Sequence, residues 1–234
     1  MKCYNITPIV VLYFCKYLKV MMNNSYILNK LTNFKNTNSQ LEILKRVSPF
    51  KTNFFFKKIC KYISSVSGFV HKGRAKRDIK KLLGKVLHSQ SQYNIYYNIW
   101  LNDMSNLCEI FCRFLDENKL SFWIGNARGC QRYHVDMVPF RLLLTYTGQG
   151  TELLPNSAAN RSAFYQGKPN SEIIIDKSAR KFINKWDIAV FRGGRNGILH
   201  RTPDSALHNQ SSILMRLDNS SFLEDINRLN YNKK

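Results

Sequence analysis

Two stretches of the chain carry apolar side chains at intervals of three and four. Ile79, Leu82, Leu83, Val86 and Leu87 form one stripe with lysines opposite; Trp100, Met104, Leu107, Cys108, Phe111 and Leu115 form the other. Both spacings predict amphipathic helices, because 3.6 residues per turn returns these positions to one face. Asn102 or Asp103 is the expected cap at the start of the second, and the polar run Asp116-Glu117-Asn118-Lys119 is expected to end it. After residue 120 the pattern changes. Leu120 to Ile124, Arg141 to Thr147, Thr151 to Leu154, Ile173 to Ile175, Ile188 to Arg192 and Ile213 to Leu217 read as short strands, with Gly, Asn, Pro and Ser between them. Several short strands joined by turns predict a sandwich or jelly roll. They do not alternate regularly with helices, so a doubly wound parallel sheet is not expected. The expected fold class is α+β, with a mainly antiparallel jelly-roll (double-stranded β-helix) core preceded by N-terminal helices.

The N-terminal part is less periodic. Residues 23–60 mix Asn, Lys, Thr and Phe and allow short helices, and Gly68 to Arg77 reads as a basic loop or linker. Ile6 to Cys15 is apolar, but Lys16 and Lys19 break it. It is too short for a membrane span, and its flanks make a poor signal peptide. Met21 and Met22 mark an alternative start. Charge divides the chain near residue 90, ahead of the change of pattern at 120. Residues 1–90 hold 18 Lys/Arg against 2 Asp/Glu, and residues 91–234 hold 18 against 13. The expected organisation is therefore a basic, helical or irregular region over 1–90 and a metal-binding jelly-roll domain with its leading helix over 91–234. A basic half can meet nucleic acid or an anionic membrane. However, the chain is rich in Lys, Asn, Ile and Tyr together, which favours compositional drift, and no zinc finger, helix-turn-helix or Arg-rich arm is present. Six cysteines without a Cys-x-x-Cys pair do not make a disulfide framework. A reducing, cytoplasmic setting fits them better.

The sharpest local chemistry is His134-Val135-Asp136. In an extended segment, positions i and i+2 share a face, so one segment can aim an imidazole and a carboxylate at one point. A second imidazole must come from elsewhere, and His200, after Gly197-Ile198-Leu199, is placed to supply it. Two His and one carboxylate on one face of a metal leave positions open, the arrangement of non-haem Fe(II) oxygenases. On spacing alone His-x-Asp is a weak signal, which a surface pair or a hydrogen-bonded core histidine also explains.

The surrounding residues add a resemblance. Cys130-Gln131-Arg132-Tyr133-His134-Val135-Asp136-Met137-Val138-Pro139-Phe140-Arg141, continuing to Gly148-Gln149-Gly150-Thr151-Glu152, resembles the core of a bacterial family known as domain of unknown function 1826. Asn160-Arg161, Asp187 to Gly193, Leu199-His200-Arg201-Thr202-Pro203 and Leu217-Asp218 extend the likeness, and Trp100 to Leu115 resembles the helix before that core. The resemblance covers roughly 95–218 and carries no reaction with it. More distantly, the pattern is similar to double-stranded β-helix oxygenases that use iron and 2-oxoglutarate. Their motif has His-x-Asp, a distal His, and a basic residue on a following strand. That likeness implies His134, Asp136 and His200 as iron ligands.

It also implies a basic anchor for the 2-oxoglutarate carboxylate, which an Arg suits. Arg216 and Arg141 are the candidates, with Arg201 a third. Period two puts Ser212, Leu214 and Arg216 on one face of their strand and Ile213, Met215 and Leu217 on the other. If the apolar face alone points inward, Arg216 is a surface residue. Cys130 could add a thiolate, which would favour zinc, although a small buried hydrophobe is the preferred reading. Cys108 and Cys112, one turn apart, read as core. Glu152 is placed to line the cavity or pair with an Arg, His208 to face solvent, and Thr145 and Tyr146 to pack. The expected function is an Fe(II)-dependent oxygenase, with 2-oxoglutarate as co-substrate, acting on an unknown organic substrate. The alternatives are a cupin-like zinc protein and, through the basic part, a nucleic-acid-binding module.

Overall fold

The structure is a computed structural model that describes residues 24–87, 93–209 and 212–222. The apolar run Ile6 to Cys15 and the Met21/Met22 start lie outside the described residues. The chain forms mixed helix and antiparallel sheet. In order, the elements are α1 (Asn24–Lys35), β1 (Leu41–Leu44), α2 (Thr52–Ile59), β2 (Ser65–His71), α3 (Ala75–Leu83), α4 (Ile95–Leu115), β3 (Lys119–Gly125), β4 (Phe140–Thr147) and β5 (Glu152–Leu154). There follow α5 (Arg161–Tyr165), α6 (Asn170–Ile173), β6 (Lys181–Phe182), β7 (Ile188–Arg192), β8 (Leu199–Arg201), α7 (Asp204–Asn209) and β9 (Ile213–Asn219).

The larger sheet runs β1-β7-β4-β9-β3-β2 and the smaller β6-β5-β8, with every pairing antiparallel. Alternation along the central strands sorts side chains into two layers. Leu142, Leu144, Tyr146, Ile188, Val190, Ile213, Met215 and Leu217 join the helices in the main core, where Trp100, Met104, Leu107 and Phe111 of α4 lie buried. From the opposite face Leu143, Ala189, Phe191 and Leu214 meet Leu153 and Ile183, the latter two from the smaller sheet and its approach. The large sheet is therefore covered on both sides. Strands β1 and β2 precede residue 90 yet pair with β7 and β3, and Ile27, Phe56, Val66 and Ile79 share the main core with α4.

Several expectations are corrected. Helix α4 begins at Asn94, whose side-chain oxygen accepts from the Tyr96 amide at 2.8 Å, not at Asn102 or Asp103. Asp103 lies inside the helix, buried against Arg46. At the other end Asp116 adopts φ 60 and stops the helix, as its polar surroundings suggest. Gly68 to Arg77 is not a linker: its first residues complete β2 and its last ones open α3. Gly68 is what lets the two lie close, since a Cβ there would stand 2.7 Å from a Leu82 methyl. Ile173 to Ile175 is not a strand, because Pro169-Asn170 starts a single helical turn and only Ile174 bridges Ala159. The remaining strand expectations coincide with β3, β4, β5, β7 and β9. Among the described residues no helix is long and apolar enough to cross a membrane.

Candidate metal centre

His134, Asp136 and His200 come together. Each offers one ligand atom, and these atoms lie within 4.8 Å of one another. The segment around His134 is not a regular strand; it is held by a single bridge in which His134 and His200 exchange both backbone hydrogen bonds at 3.0 Å. Such a pair faces the same side of the sheet, and the two rings stand 4.3 Å apart, centre to centre. Asp136, two residues on, keeps to that side.

The second nitrogens of both rings are occupied. His134 Nδ1 faces the Arg132 carbonyl at 3.2 Å, and His200 Nδ1 faces the Ile198 carbonyl at 3.1 Å. A carbonyl only accepts, so each Nδ1 carries the hydrogen and donates it. The Nε2 lone pairs are then left for a ligand role, because a ring whose other nitrogen donates to a fixed carbonyl is held in the tautomer that can bind a metal. His200 is buried, and burial draws its pKa down to about 4 against the pull of Asp136, so its ring is neutral at pH 7. His200 Nε2 stands 3.4 Å from Asp136 Oδ2, and that oxygen, buried, accepts no hydrogen bond. A buried carboxylate oxygen without a hydrogen bond, facing a ring nitrogen, is an arrangement that a cation satisfies.

The other carboxylate oxygen is held. Arg141, on β4, pairs through Nη1 with Asp136 Oδ1 and through Nε with Asp218 Oδ1 at 2.6 Å. The β4–β9 register sets Arg141 beside Asp218. Burial opposes the Arg141 charge, but the two carboxylates outweigh it and raise its pKa; burial likewise raises that of Asp218 despite the adjacent guanidinium. Arg216 approaches Asp218 from the same strand, Nε to Oδ2 3.0 Å. Arg216 is therefore not an ordinary surface residue. The apolar face of β9 does point into the main core, but its other face is also covered, by the layer beneath the small sheet. Burial accordingly lowers the Arg216 pKa.

Glycines set the approach. Gly194 N donates to the Asp136 carbonyl at 2.7 Å, and Gly193 N to that of Pro139 at 3.1 Å. A Cβ at Gly193 would overlap the Val138 carbonyl and come 2.7 Å from the Asp136 carbonyl. Gly193→Ala is therefore expected to push the Asp136 segment away, costing about 1–3 kcal/mol of stability and weakening Mn(II) binding several-fold; calorimetric melting and titration check both.

Among the other expected residues, Glu152 is buried, with Tyr133 donating to its Oε1 and Arg201 Nη2 at 2.9 Å from Oε2. Arg201 also pairs with Asp204, Nη1 to Oδ1 2.7 Å. Thr145 and Tyr146 are packed, Cys108 and Cys112 are core, and His208 is exposed. Cys130 is exposed, contrary to expectation, and stands outside the converging set. Two buried charged residues, Asp218 beside the site and Arg128 elsewhere in the fold, went unread in the sequence. Asp218 was legible by period two from Arg216. Arg128, buried, spends its hydrogen bonds on Gln149 O, Ser212 Oγ and Thr151 Oγ1 (2.7–3.2 Å), and burial lowers its pKa to about 10. It ties the β4–β5 turn to the start of β9, and no sequence signal marks it.

The chain belongs to the family described as "Protein of unknown function (DUF1826)", whose model matches residues 28–218. The match thus begins well before the point at which the sequence resemblance becomes legible. No curated protein matches the chain. Among solved structures it is similar to the Fe(II)/α-ketoglutarate-dependent dioxygenase TqaL (7% identity, 86% of this chain and 88% of that one, TM-score 0.43). It is also similar to Neurospora crassa T7H in apo form (10% identity, 86% and 92%, TM-score 0.37) and to E. coli ycfD (12%, 79% and 51%, TM-score 0.30).

Proposed function

We propose that the protein is a mononuclear non-haem Fe(II) oxygenase that uses 2-oxoglutarate, with His134, Asp136 and His200 as the metal ligands. The observation that carries this reading is the unpartnered, buried Asp136 Oδ2 facing the Nε2 of a His200 whose Nδ1 is already tied to a backbone carbonyl. In this reading the two facing sheets are the halves of a double-stranded β-helix and the ligands sit at one end of the layer between them. Iron with 2-oxoglutarate supplies oxidation of a substrate C–H bond by dioxygen.

The chain's own residues do the rest. The bridge between His134 and His200 presets the two rings, and the carbonyls of Arg132 and Ile198 fix their tautomers. Arg141 holds one oxygen of Asp136 and leaves the other free. Phe191, its ring 4.5 Å from that of His200, and Leu143 and Leu214 make an apolar wall that keeps water away. Charge balance supports an anionic co-substrate: Asp136, Asp218, Arg141 and Arg216 sum to zero, so a divalent cation leaves the site at plus two, which a dicarboxylate neutralises. Arg216 is the better anchor for a carboxylate. Arg141 is committed to two carboxylates, whereas Arg216 touches one and keeps donors to spare. The zinc alternative that would enlist Cys130 draws no support from the ligand set.

Purified protein given Fe(II), oxygen and ascorbate is expected to convert 2-oxoglutarate to succinate and carbon dioxide slowly without a prime substrate, the ascorbate supplying the two electrons that reduce the second oxygen atom to water. Arg216→Ala is expected to weaken 2-oxoglutarate binding to the Mn(II)-loaded protein about tenfold or more, the loss of a charge-assisted hydrogen bond, with Mn(II) affinity unchanged. Full retention of 2-oxoglutarate affinity in that variant removes Arg216 from the site.

A further inference from the structure

A second surface lies on the far side of the large sheet from the metal centre. Helix α2 buries Phe55, Phe56 and Ile59 against α4 and β4, with the Phe56 ring 5.5 Å from Trp100 and 5.9 Å from Tyr146. Its other face is unusual. Phe54 is 70% exposed, Phe50 just before the helix 80%, and Tyr62 just after it 50%. Lys51, Lys57, Lys58 and Lys61 are exposed among them. Two of the cations already sit over the rings, Lys51 Nζ 5.1 Å from the centre of Phe50 and Lys61 Nζ 4.9 Å from that of Tyr62. Residues 43–77 contain ten Lys/Arg and no Asp or Glu. Three large rings exposed within thirteen residues, with lysines between them, form a candidate contact surface.

We infer that this face binds single-stranded nucleic acid, with Phe50, Phe54 and Tyr62 as stacking platforms and Lys51, Lys57, Lys58 and Lys61 as phosphate contacts. The combination of separate flat rings interleaved with cations is what an unpaired strand requires: every base has a π-face, and the backbone carries one charge per nucleotide. The aliphatic side chains of the stretch argue for nucleic acid over lipid. Ile59 and Ile63 are buried, so from Phe50 to Tyr62 the large apolar groups offered to solvent are all aromatic; in the wider basic stretch of 43–77 Val47 alone is an exposed large aliphatic. A lipid-seeking face would present aliphatic side chains alongside the rings. Compositional drift explains the lysines but not the exposure of the rings. The inference is independent of the metal-site reading, because the surface lies across the sheet from that site.

The test uses the full chain and a labelled oligothymidylate of about 12 nucleotides, followed by fluorescence anisotropy over a salt series. Binding is expected, and Phe50→Ala/Phe54→Ala, which keeps every lysine, is expected to weaken it about tenfold or more per ring at a nearly unchanged salt slope. Lys57→Gln/Lys58→Gln is expected to lower the slope of log K against log salt by about 1.4. Circular dichroism melting confirms that both variants fold, since the side chains removed are exposed. Oligonucleotide binding of equal strength in the aromatic variant overturns the proposal and leaves only general charge attraction. So does the absence of binding, or binding confined to phosphatidylserine vesicles and lost with the two phenylalanines.

Discussion

Replacing Asp136 with alanine is expected to reduce Mn(II) or Fe(II) affinity by about a hundredfold or more, and His200→Ala to do the same. Loss of a residue that merely hydrogen-bonds to a ligand typically costs a metal site about 10–100-fold, and these variants remove the proposed ligands themselves. The two substitutions should differ in what they do to the metal-free protein. Asp136→Ala leaves Arg141 with Asp218 still paired at 2.6 Å, so that guanidinium keeps a partner. It also relieves the unpartnered Oδ2, so the metal-free fold is expected to lose little stability. His200→Ala opens a hole beneath Phe191, whose ring packs on it, and is expected to cost about 2–4 kcal/mol, in the range for large-to-small changes in a packed layer. Isothermal titration with Mn(II) and urea unfolding of the metal-free protein separate the two effects. A His200→Ala protein that binds Mn(II) as tightly as the parent would sink the ligand assignment.

The largest expected effect on stability lies away from the metal. Arg46 follows β1 and reaches Asp103 of α4, Nη1 to Oδ1 2.6 Å and Nη2 to Oδ2 3.1 Å, while its Nε donates to the Trp186 carbonyl at 2.7 Å. Tyr146 donates to the same Asp103 Oδ2 at 2.9 Å. All of this is buried. Arg46→Met would strand the Asp103 carboxylate among apolar groups, at a cost of about 3–5 kcal/mol. That is a large share of the about 5–15 kcal/mol that holds a typical domain together. Removing the whole polar set together, as Arg46→Met, Asp103→Leu and Tyr146→Phe, is expected to recover most of the loss, because no charge is then left buried alone. Midpoints of urea unfolding for the single and triple variants check this. If the single variant unfolds at the parent midpoint, the cluster is not what joins the segment after β1 to α4.

Which residues pack in α4 and in most of the central strands was legible from spacing, because 3.6- and 2-residue periods are local and survive in any tertiary setting. The ligand types at the candidate centre were legible too: His-x-Asp needs only an extended segment to put both groups on one side. Where a local signal had a competitor, it failed. Asp103 looks like a cap only until Arg46, distant in sequence, is known to lie opposite it, and Gly68 looks like a loop residue until α3 is seen to need its missing side chain. The pairing of His134 with His200, the place of Arg216 in a covered layer, and the joining of β1 and β2 to the sheet were decided by tertiary structure alone. These depend on which strand lies beside which, and on both faces of the large sheet being buried, and neither quantity is written in the spacing of any single segment.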